Sequence, residues 1–163
     1  MEKQKKEHIL SLLVNNKPDV LARVAGTLGG RGYNIDTLCV DATLDPKISK
    51  IILSVYQDQS AITKIEKQLL RLIDVHSVSE LTETETVMRE MMLVRMKLTE
   101  KNKADIALII DTFRGRVVTM NGDSCVIEIT GTKADIERAI ESLKPLGIDD
   151  LARTGIVALE RIK

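Results

Sequence analysis

One stretch, the segment from Asn15 to Asp36, constrains the fold of this chain more than any other. Pro18 fixes its own backbone angle and holds Lys17 in an extended conformation, so a strand that runs up to Asn16 must end there. A helix is predicted to follow, since Asp19 is a good N-cap residue. The apolar residues that give this helix its core-facing stripe have helical spacing: Leu21, Val24, Ala25 and Leu28.

Three glycines, Gly29, Gly30 and Gly32, are predicted to end this helix, because glycine adopts the left-handed conformation without a steric penalty. From Tyr33 the chain is predicted to continue as a strand with one apolar face. The residues of that face are Leu38, Val40 and Ala42. The order is therefore strand, tight loop, helix, glycine turn, strand.

The first amides of a helix have no partner within it, so the loop from Asn16 to Leu21 could hold a small carboxylate. The alternative interpretation is an ordinary connection between a strand and a helix. Physical chemistry alone favours that alternative, because such junctions are common in α/β proteins.

The rest of the first half completes a βαββαβ order. The nearly continuous apolar run from His8 to Val14 predicts a central strand, and Asp45–Pro46 predicts the turn of a hairpin whose second strand spans 48–56. Ser60 is predicted to cap a second helix with Ile62, Ile65, Leu69 and Leu72 on its apolar face. Residues 75–81 are predicted to form the fourth strand.

A polar, acidic segment, TETET at 82–86, separates two halves of the chain. We expect a first domain at 1–82, a linker at 83–86 and a second domain at 87–163. The second domain is predicted to repeat the βαββαβ order, with a strand through Met92, a helix capped by Asn102 and ended by Gly115, and a hairpin at 121–123. A single strand is predicted for 148–159. Another helix is predicted after Thr132, with these residues on its apolar face: Ile136, Ala139, Ile140 and Leu143. The fold class is thus α+β, with two tandem ferredoxin-like domains.

Composition excludes several classes of function. The 24 basic and 24 acidic residues give a formal net charge of zero, whereas nucleic-acid binding needs a clustered basic excess. Neither an apolar run long enough to span a membrane nor a signal or transit peptide is recognisable, which favours the cytoplasm. Cys39 and Cys125 are expected to be buried free thiols.

Catalytic motifs are not recognisable. His8 and His76 lack companions at metal-ligand spacing, and the sequence has no nucleophile elbow or phosphate-binding glycine loop. Asp149 and Asp150 are predicted to be solvated surface residues. The charged residues bordering strands of the second half could pair at an interface or within the domain, and both possibilities remain open: Arg89, Glu90, Arg114 and Arg153.

Several sequence blocks carry a family resemblance. The runs LLVNNKPDVLARVAG and RGYNIDTL are similar to the ACT domain that opens the small, regulatory subunits of acetolactate synthase (acetohydroxyacid synthase). Other blocks resemble the same family in the same order: SKIILSV, IEKQLLRLIDVHSVSEL, VMREMMLV, the tripeptide Phe113–Arg114–Gly115, and ARTGIVAL. Together they cover the chain from His8 to Arg161.

The resemblance implies a non-catalytic subunit that activates a large subunit and conveys feedback inhibition, usually by valine, in branched-chain amino-acid biosynthesis. The large, catalytic subunit would carry thiamine diphosphate, FAD and Mg²⁺. The ACT domain would form a homodimer and hold the amino-acid effector, while the second domain would tune the inhibition. By this resemblance the effector-binding residues are Asn16, Lys17, Pro18, Asp19, Val20, Leu21, Asn34 and Ile35.

At Asp19 the chain departs from the family, which commonly has glycine there. A capping carboxylate at this position would repel the effector's carboxylate, so we expect weak valine binding and little feedback inhibition. Two other functions remain as alternatives. One is a free-standing amino-acid sensor acting on a transcription factor or another enzyme; the other is a small enzyme, which the missing catalytic motifs disfavour.

Overall fold

The computed structural model describes residues 4–81 and 85–162, which form two compact units. The first unit runs to Val87 and includes the chain again from Ala158, and the second is Met88–Val157. Of the predicted linker, Glu83 and Thr84 lie outside the described residues, and Thr86 is the first residue of a strand.

The first unit is built from six elements around one antiparallel sheet. They are β1 (Lys6–Asn15), α1 (Val20–Gly29), β2 (Thr37–Ala42), β3 (Ile48–Gln57), α2 (Gln59–Leu69) and β4 (Val75–Leu81). The strand order is β2-β3-β1-β4, so β2 and β4 are the edge strands. The alternating apolar residues of β1 and β3 and the stripes of both helices form an aliphatic core.

Three local predictions for this unit were wrong. The core-facing residues of α1 are Val20, Val24 and Leu28, while Leu21 is 38% exposed. The carboxylate of Asp58, not Ser60, caps α2 by accepting hydrogen bonds from the Ser60 and Ala61 amides. The second strand begins at Thr37 rather than at residue 33, because the chain is irregular from 33 to 36.

The second part of the chain repeats the order and adds a strand. Its elements are β5 (Thr86–Lys97), α3 (Lys103–Thr112), β6 (Arg116–Asn121), β7 (Ser124–Gly131), α4 (Lys133–Leu143), a short 3₁₀ turn (Lys144–Leu146), β8 (Ile148–Arg153) and β9 (Val157–Glu160). The sheet order is β6-β7-β5-β8, with β9 also pairing with β5. The predicted single last strand is therefore two strands, and Gly155 takes a φ of 75° in the break.

Helix ends in the second unit depend on specific local bonds. Thr132 and Asp135 form a capping box at the start of α4. Asn102 precedes α3 as predicted, but its side chain makes no capping bond and binds the Lys97 carbonyl at 2.9 Å instead. The predicted βαββαβ order is present in both halves, so the fold class is confirmed.

Candidate functional site

The loop after β1 is held in place by the hairpin between β2 and β3. The Asn16 amide donates to the Lys47 carbonyl at 2.7 Å, and its side-chain amide donates to the Pro46 carbonyl at 2.9 Å. Lys17 and Pro18 are exposed and lead to the first turn of α1. The loop is therefore anchored through Asn16, while the next residues face solvent.

Asp19 does not cap α1 in the way its residue type predicts. Its φ is 67° and its ψ is −9°, in the left-handed region, and its side chain makes no capping hydrogen bond. A left-handed residue at this point is favourable for glycine and costs a residue with a Cβ atom about 1–2 kcal/mol. The predicted side-chain cap was wrong, and the exposed carboxylate of Asp19 projects from a backbone position suited to glycine.

The other predicted effector residues lie between α1 and β2. The Asn34 side chain is exposed and donates to the Asp36 carboxylate at 3.0 Å. Ile35 is half-buried against the core of the first unit. Val20, by contrast, is buried at the start of α1, so only its backbone is available to a ligand.

Within one chain, the structure does not bring the loop from Asn16 to Leu21 close to the Asn34–Ile35 segment. Thr37, which follows the Asn34 segment, pairs with Ser54 of β3, and Ser54 pairs with Ile9 near the start of β1. Asn15 lies six residues farther along β1, which is roughly 20 Å in a strand. The loop after β1 and the Asn34 segment therefore lie at opposite ends of the sheet.

A polar cluster that the sequence did not single out lies beside the loop. The carboxylate of Asp74 accepts hydrogen bonds from the Asn15 amide at 2.8 Å and from the Arg23 guanidinium, and the Lys17 ammonium lies 3.9 Å away. His76 hydrogen-bonds the Asn15 side-chain oxygen at 2.7 Å. The Asn15 hydrogen bond, more than the two cations, lowers the pKa of Asp74 below its usual value.

This cluster affects how the loop can act. Lys17 carries the positive charge nearest in sequence to Asp19, and its ammonium lies 3.9 Å from the Asp74 carboxylate while its side chain stays 65% exposed. The antiparallel pairing of β1 with β4 sets Val14 against Val75, which places Asp74 next to Asn15. The predicted ferredoxin-like fold, in which the first and fourth strands are neighbours, was the sequence signal that could have found this cluster.

A second polar group includes the buried side chain of His8. Its Nδ1 lies 2.6 Å from the Glu80 carboxylate and its Nε2 lies 3.0 Å from the Gln57 carbonyl. Burial disfavours ionised Glu80, but hydrogen bonds from His8 and Gln59 outweigh burial and lower the pKa of Glu80. His8 therefore has a structural role at the edge of the sheet formed by β4.

In the second unit, Glu90 and Arg153 form an ion pair within the domain. Two hydrogen bonds of 2.5 and 2.9 Å join the guanidinium to the carboxylate, which is almost fully buried. This resolves the open question for these two residues. Asp149 and Asp150 are exposed surface residues, as predicted, and Arg95 contacts Asp149 at 2.6 Å and Asp150 at 3.6 Å.

Within the residues that the structure describes, no group of three or more His, Cys, Asp and Glu side chains is arranged to hold a metal ion. None of the helices in the described part of the chain is both long and apolar enough to cross a bilayer. Cys39 and Cys125 are free thiols, as predicted, although Cys39 is only half-buried.

The first unit is a ferredoxin-like domain with an exposed loop before its first helix, which is the architecture of ACT domains. A family model described as an acetohydroxyacid synthase (AHAS) small subunit-like ACT domain matches residues 10–77, and one described as the small subunit of acetolactate synthase matches residues 89–162. The chain belongs to the acetolactate synthase small-subunit family.

Individual relatives agree with this assignment. A small subunit of acetolactate synthase from Aquifex aeolicus is 42% identical over 97% of this chain and 83% of its own length. A probable small subunit from Archaeoglobus fulgidus is 39% identical over 95% of this chain and 97% of its own length. The crystal structure of the Thermotoga maritima small subunit superposes with a TM-score of 0.90 at 34% identity, covering 97% of this chain and 99% of that one. The predicted family and its regulatory, non-catalytic role are confirmed.

Proposed function

We propose that this chain senses a branched-chain amino acid and regulates an acetolactate synthase catalytic subunit in the cytoplasm. Residues 1–82 would be the effector-binding and dimerising ACT domain, 83–86 the linker and 87–163 the domain that tunes inhibition. The catalytic partner would carry thiamine diphosphate, FAD and Mg²⁺. Family membership supports the partner, and the geometry of the first unit supports the site.

The observation that carries this proposal is the separation of the two predicted parts of the effector site. The loop from Asn16 to Leu21 and the Asn34–Ile35 segment lie at opposite ends of one sheet. A two-fold axis that places two sheets edge to edge in antiparallel fashion brings the loop of one copy towards the Asn34 segment of the other. The effector site would then be composite and would require the homodimer.

The edge strand β2 is the contact surface we propose for that dimer. Val40 on this strand is 40% exposed, and β2 has a hydrogen-bonded neighbour on one side only. An edge strand with unpaired backbone groups is suited to pair with a second copy.

Sedimentation of the full chain tests the dimer. The wild type should sediment as a dimer at micromolar concentration, and Val40→Lys should dissociate it by placing a charge at the contact. Val118→Lys is the matched control, since Val118 is similarly exposed on β6, an edge strand of the second unit. A monomeric wild type, or a dimer weakened only by Val118→Lys, would contradict the proposal.

Within the composite site, we expect Asp19 to weaken the binding of the effector. The carboxylate of a bound amino acid approaching the α1 amides would lie near the Asp19 carboxylate. Two such charges about 4 Å apart repel by roughly 1 to 4 kcal/mol, for effective dielectric constants between that of water and that of a protein surface. This repulsion can weaken affinity by up to several hundredfold. Valine should therefore bind weakly, and feedback inhibition should be small.

Calorimetry with valine tests this expectation. Asp19→Gly should bind valine at least tenfold more tightly than the wild type, and Glu141→Gln, which removes an exposed charge from the second unit, should not. Tight binding by the wild type that Asp19→Gly leaves unchanged would refute the role of Asp19.

The partner is tested by reconstitution. The isolated chain should not turn over pyruvate, and it should raise the rate of the catalytic subunit when the two are mixed. Pyruvate turnover by the chain alone would refute a purely regulatory role. A pull-down that recovers a transcription factor or another enzyme in place of a thiamine-diphosphate enzyme would favour the free-standing sensor.

A further inference from the structure

A cavity in the second unit lies where four elements converge: the start of β5, the end of α3, the end of β7 and the start of α4. Its volume is about 320 Å³, several times that of a water molecule in the liquid. It is lined by Arg89, Thr112, Phe113, Arg114, Thr130, Gly131, Thr132 and Asp135. It is therefore large enough for a tetrahedral oxyanion and some of its hydration water.

Arg114 lines this cavity from an unusual backbone conformation. Helix α3 ends in a Schellman motif, in which the Gly115 amide donates to the Ile110 carbonyl at 2.7 Å and the Arg114 amide donates to the Asp111 carbonyl at 3.1 Å. The left-handed position of such a motif is usually glycine. Here it is Arg114, with a φ of 53°.

The adjacent glycine has a different purpose. A Cβ atom on Gly115 would lie 2.7 Å from Ile129 and 2.9 Å from the Glu128 carbonyl, so Gly115 permits the close approach to β7. Arg114 therefore occupies a left-handed position where glycine would be less strained. Its side chain borders the cavity in spite of that strain.

Two arginine side chains at the cavity have no ion-pair partner among the residues that the structure describes. In the described part of the chain, neither Arg89 nor Arg114 pairs with a carboxylate, and Arg89 donates one hydrogen bond to the Met88 carbonyl at 2.7 Å. Asp135 is already engaged by the Thr132 amide and hydroxyl at 3.0 and 2.6 Å, and by Arg138 at 2.6 Å. Its charge is therefore largely balanced by Arg138.

We propose that this cavity binds a phosphate group, either inorganic phosphate or a phosphate monoester, between the guanidiniums of Arg89 and Arg114. Two planar guanidinium groups offer paired donors that match the oxygens of a dianion better than those of a single carboxylate. Thr130 is an exposed residue of the cavity lining, and its hydroxyl would be a further donor to the phosphate. This site is separate from the amino-acid site proposed in the first unit.

Titration of the full, isotope-labelled chain with inorganic phosphate at constant ionic strength tests the site. Saturable shifts are expected for the amides of Thr130, Gly131 and Gly115. Arg89→Gln and Arg114→Gln should each weaken phosphate about tenfold or more, since each removes a charge-assisted hydrogen bond. Arg95→Gln is the matched control, because Arg95 is also on β5 but pairs with Asp149.

Arg114→Gly separates binding from folding. Glycine suits the left-handed conformation, so this variant should unfold at a temperature no lower than the wild type while its phosphate binding is lost. Methyl phosphate in a parallel titration distinguishes a monoester from free phosphate as the preferred form. Absence of saturable shifts, their retention in both glutamine variants, or equal binding of acetate would overturn the proposal.

Discussion

The residue at position 19 allows a sharp test of how α1 begins. If Asp19 stabilised the helix as a side-chain cap, serine would replace it almost without loss and glycine would be slightly worse. The structure gives the opposite order, because the φ of 67° suits glycine and the carboxylate makes no capping bond. Serine at this position keeps the steric cost and makes no capping bond that would offset it.

The magnitudes follow from three terms. A residue with a Cβ atom in the left-handed region costs about 1–2 kcal/mol, with Asp at the lower end because it tolerates this region. Glycine removes this cost. However, it stabilises the unfolded state by about 0.4–1 kcal/mol through its greater backbone entropy. It also lacks the carboxylate, which stabilises a helix N-terminus by about 0.3–1 kcal/mol. Asp19→Gly should therefore be neutral within about 1 kcal/mol. Asp19→Ser should lower the free energy of unfolding by roughly 0.3–2 kcal/mol, because serine lacks the carboxylate and pays up to about 1 kcal/mol more than Asp in the left-handed region.

Thermal unfolding followed by circular dichroism measures the order directly. A change of 1 kcal/mol moves the midpoint by about 2–4 °C in a protein of this size. The expected order of midpoints places glycine near the wild type and serine below both. A serine variant as stable as the wild type, with glycine below it, would refute the left-handed assignment of Asp19.

Further predictions concern the second unit. Gly115→Ala should destabilise the chain by about 1–3 kcal/mol in chemical denaturation, because the new methyl group would clash with Ile129 and the Glu128 carbonyl. Arg153→Ala should cost about 3 kcal/mol and more than Glu90→Gln, since it leaves the Glu90 carboxylate buried without its cation. Asp135 has a pKa lowered to about 2, mainly by the Thr132 hydroxyl and amide, so its stabilisation is complete above pH 4 and is lost as the pH falls towards 2. Asp135→Asn should reduce that acid dependence in unfolding experiments, whereas an unchanged pH profile would contradict it.

The parts of the fold that the sequence predicted correctly are those fixed by local periodicity. The apolar spacing of α4 identified its four buried residues, and Thr132 was the correct start because the capping box lies within four consecutive residues. The residues that begin α2 and α1 were harder to predict from the sequence. Asp58 and Ser60 are both good capping residues two positions apart, so residue preference alone cannot choose between them.

Positive φ values explain other differences from the sequence predictions. Asp19 and Arg114 occupy left-handed positions that residue preference assigns to glycine. The break between β8 and β9 at Gly155 was missed because the flanking residues are as strand-like as the strands themselves.

The candidate site required long-range pairing that no local pattern contains. The register of β1 against β3 and β4 separates Asn34 from the loop after β1 and places Asp74 beside Asn15. The order of elements predicted from the sequence does not contain this register. It also does not contain the backbone conformation of Asp19, which decides whether its carboxylate is engaged by the helix or left exposed.

That conformation separates two ways in which Asp19 could oppose an effector. Asp19→Asn removes the charge but keeps a side chain in the left-handed region, whereas Asp19→Gly removes both. If charge repulsion is the cause, the two variants should gain similar valine affinity, because the repulsion of about 1 to 4 kcal/mol disappears in each. If only the glycine variant gains affinity, the obstruction is the side chain itself over the first amides of α1. Because Asp19 makes no capping bond that either change would break, both comparisons can be made without loss of the helix start.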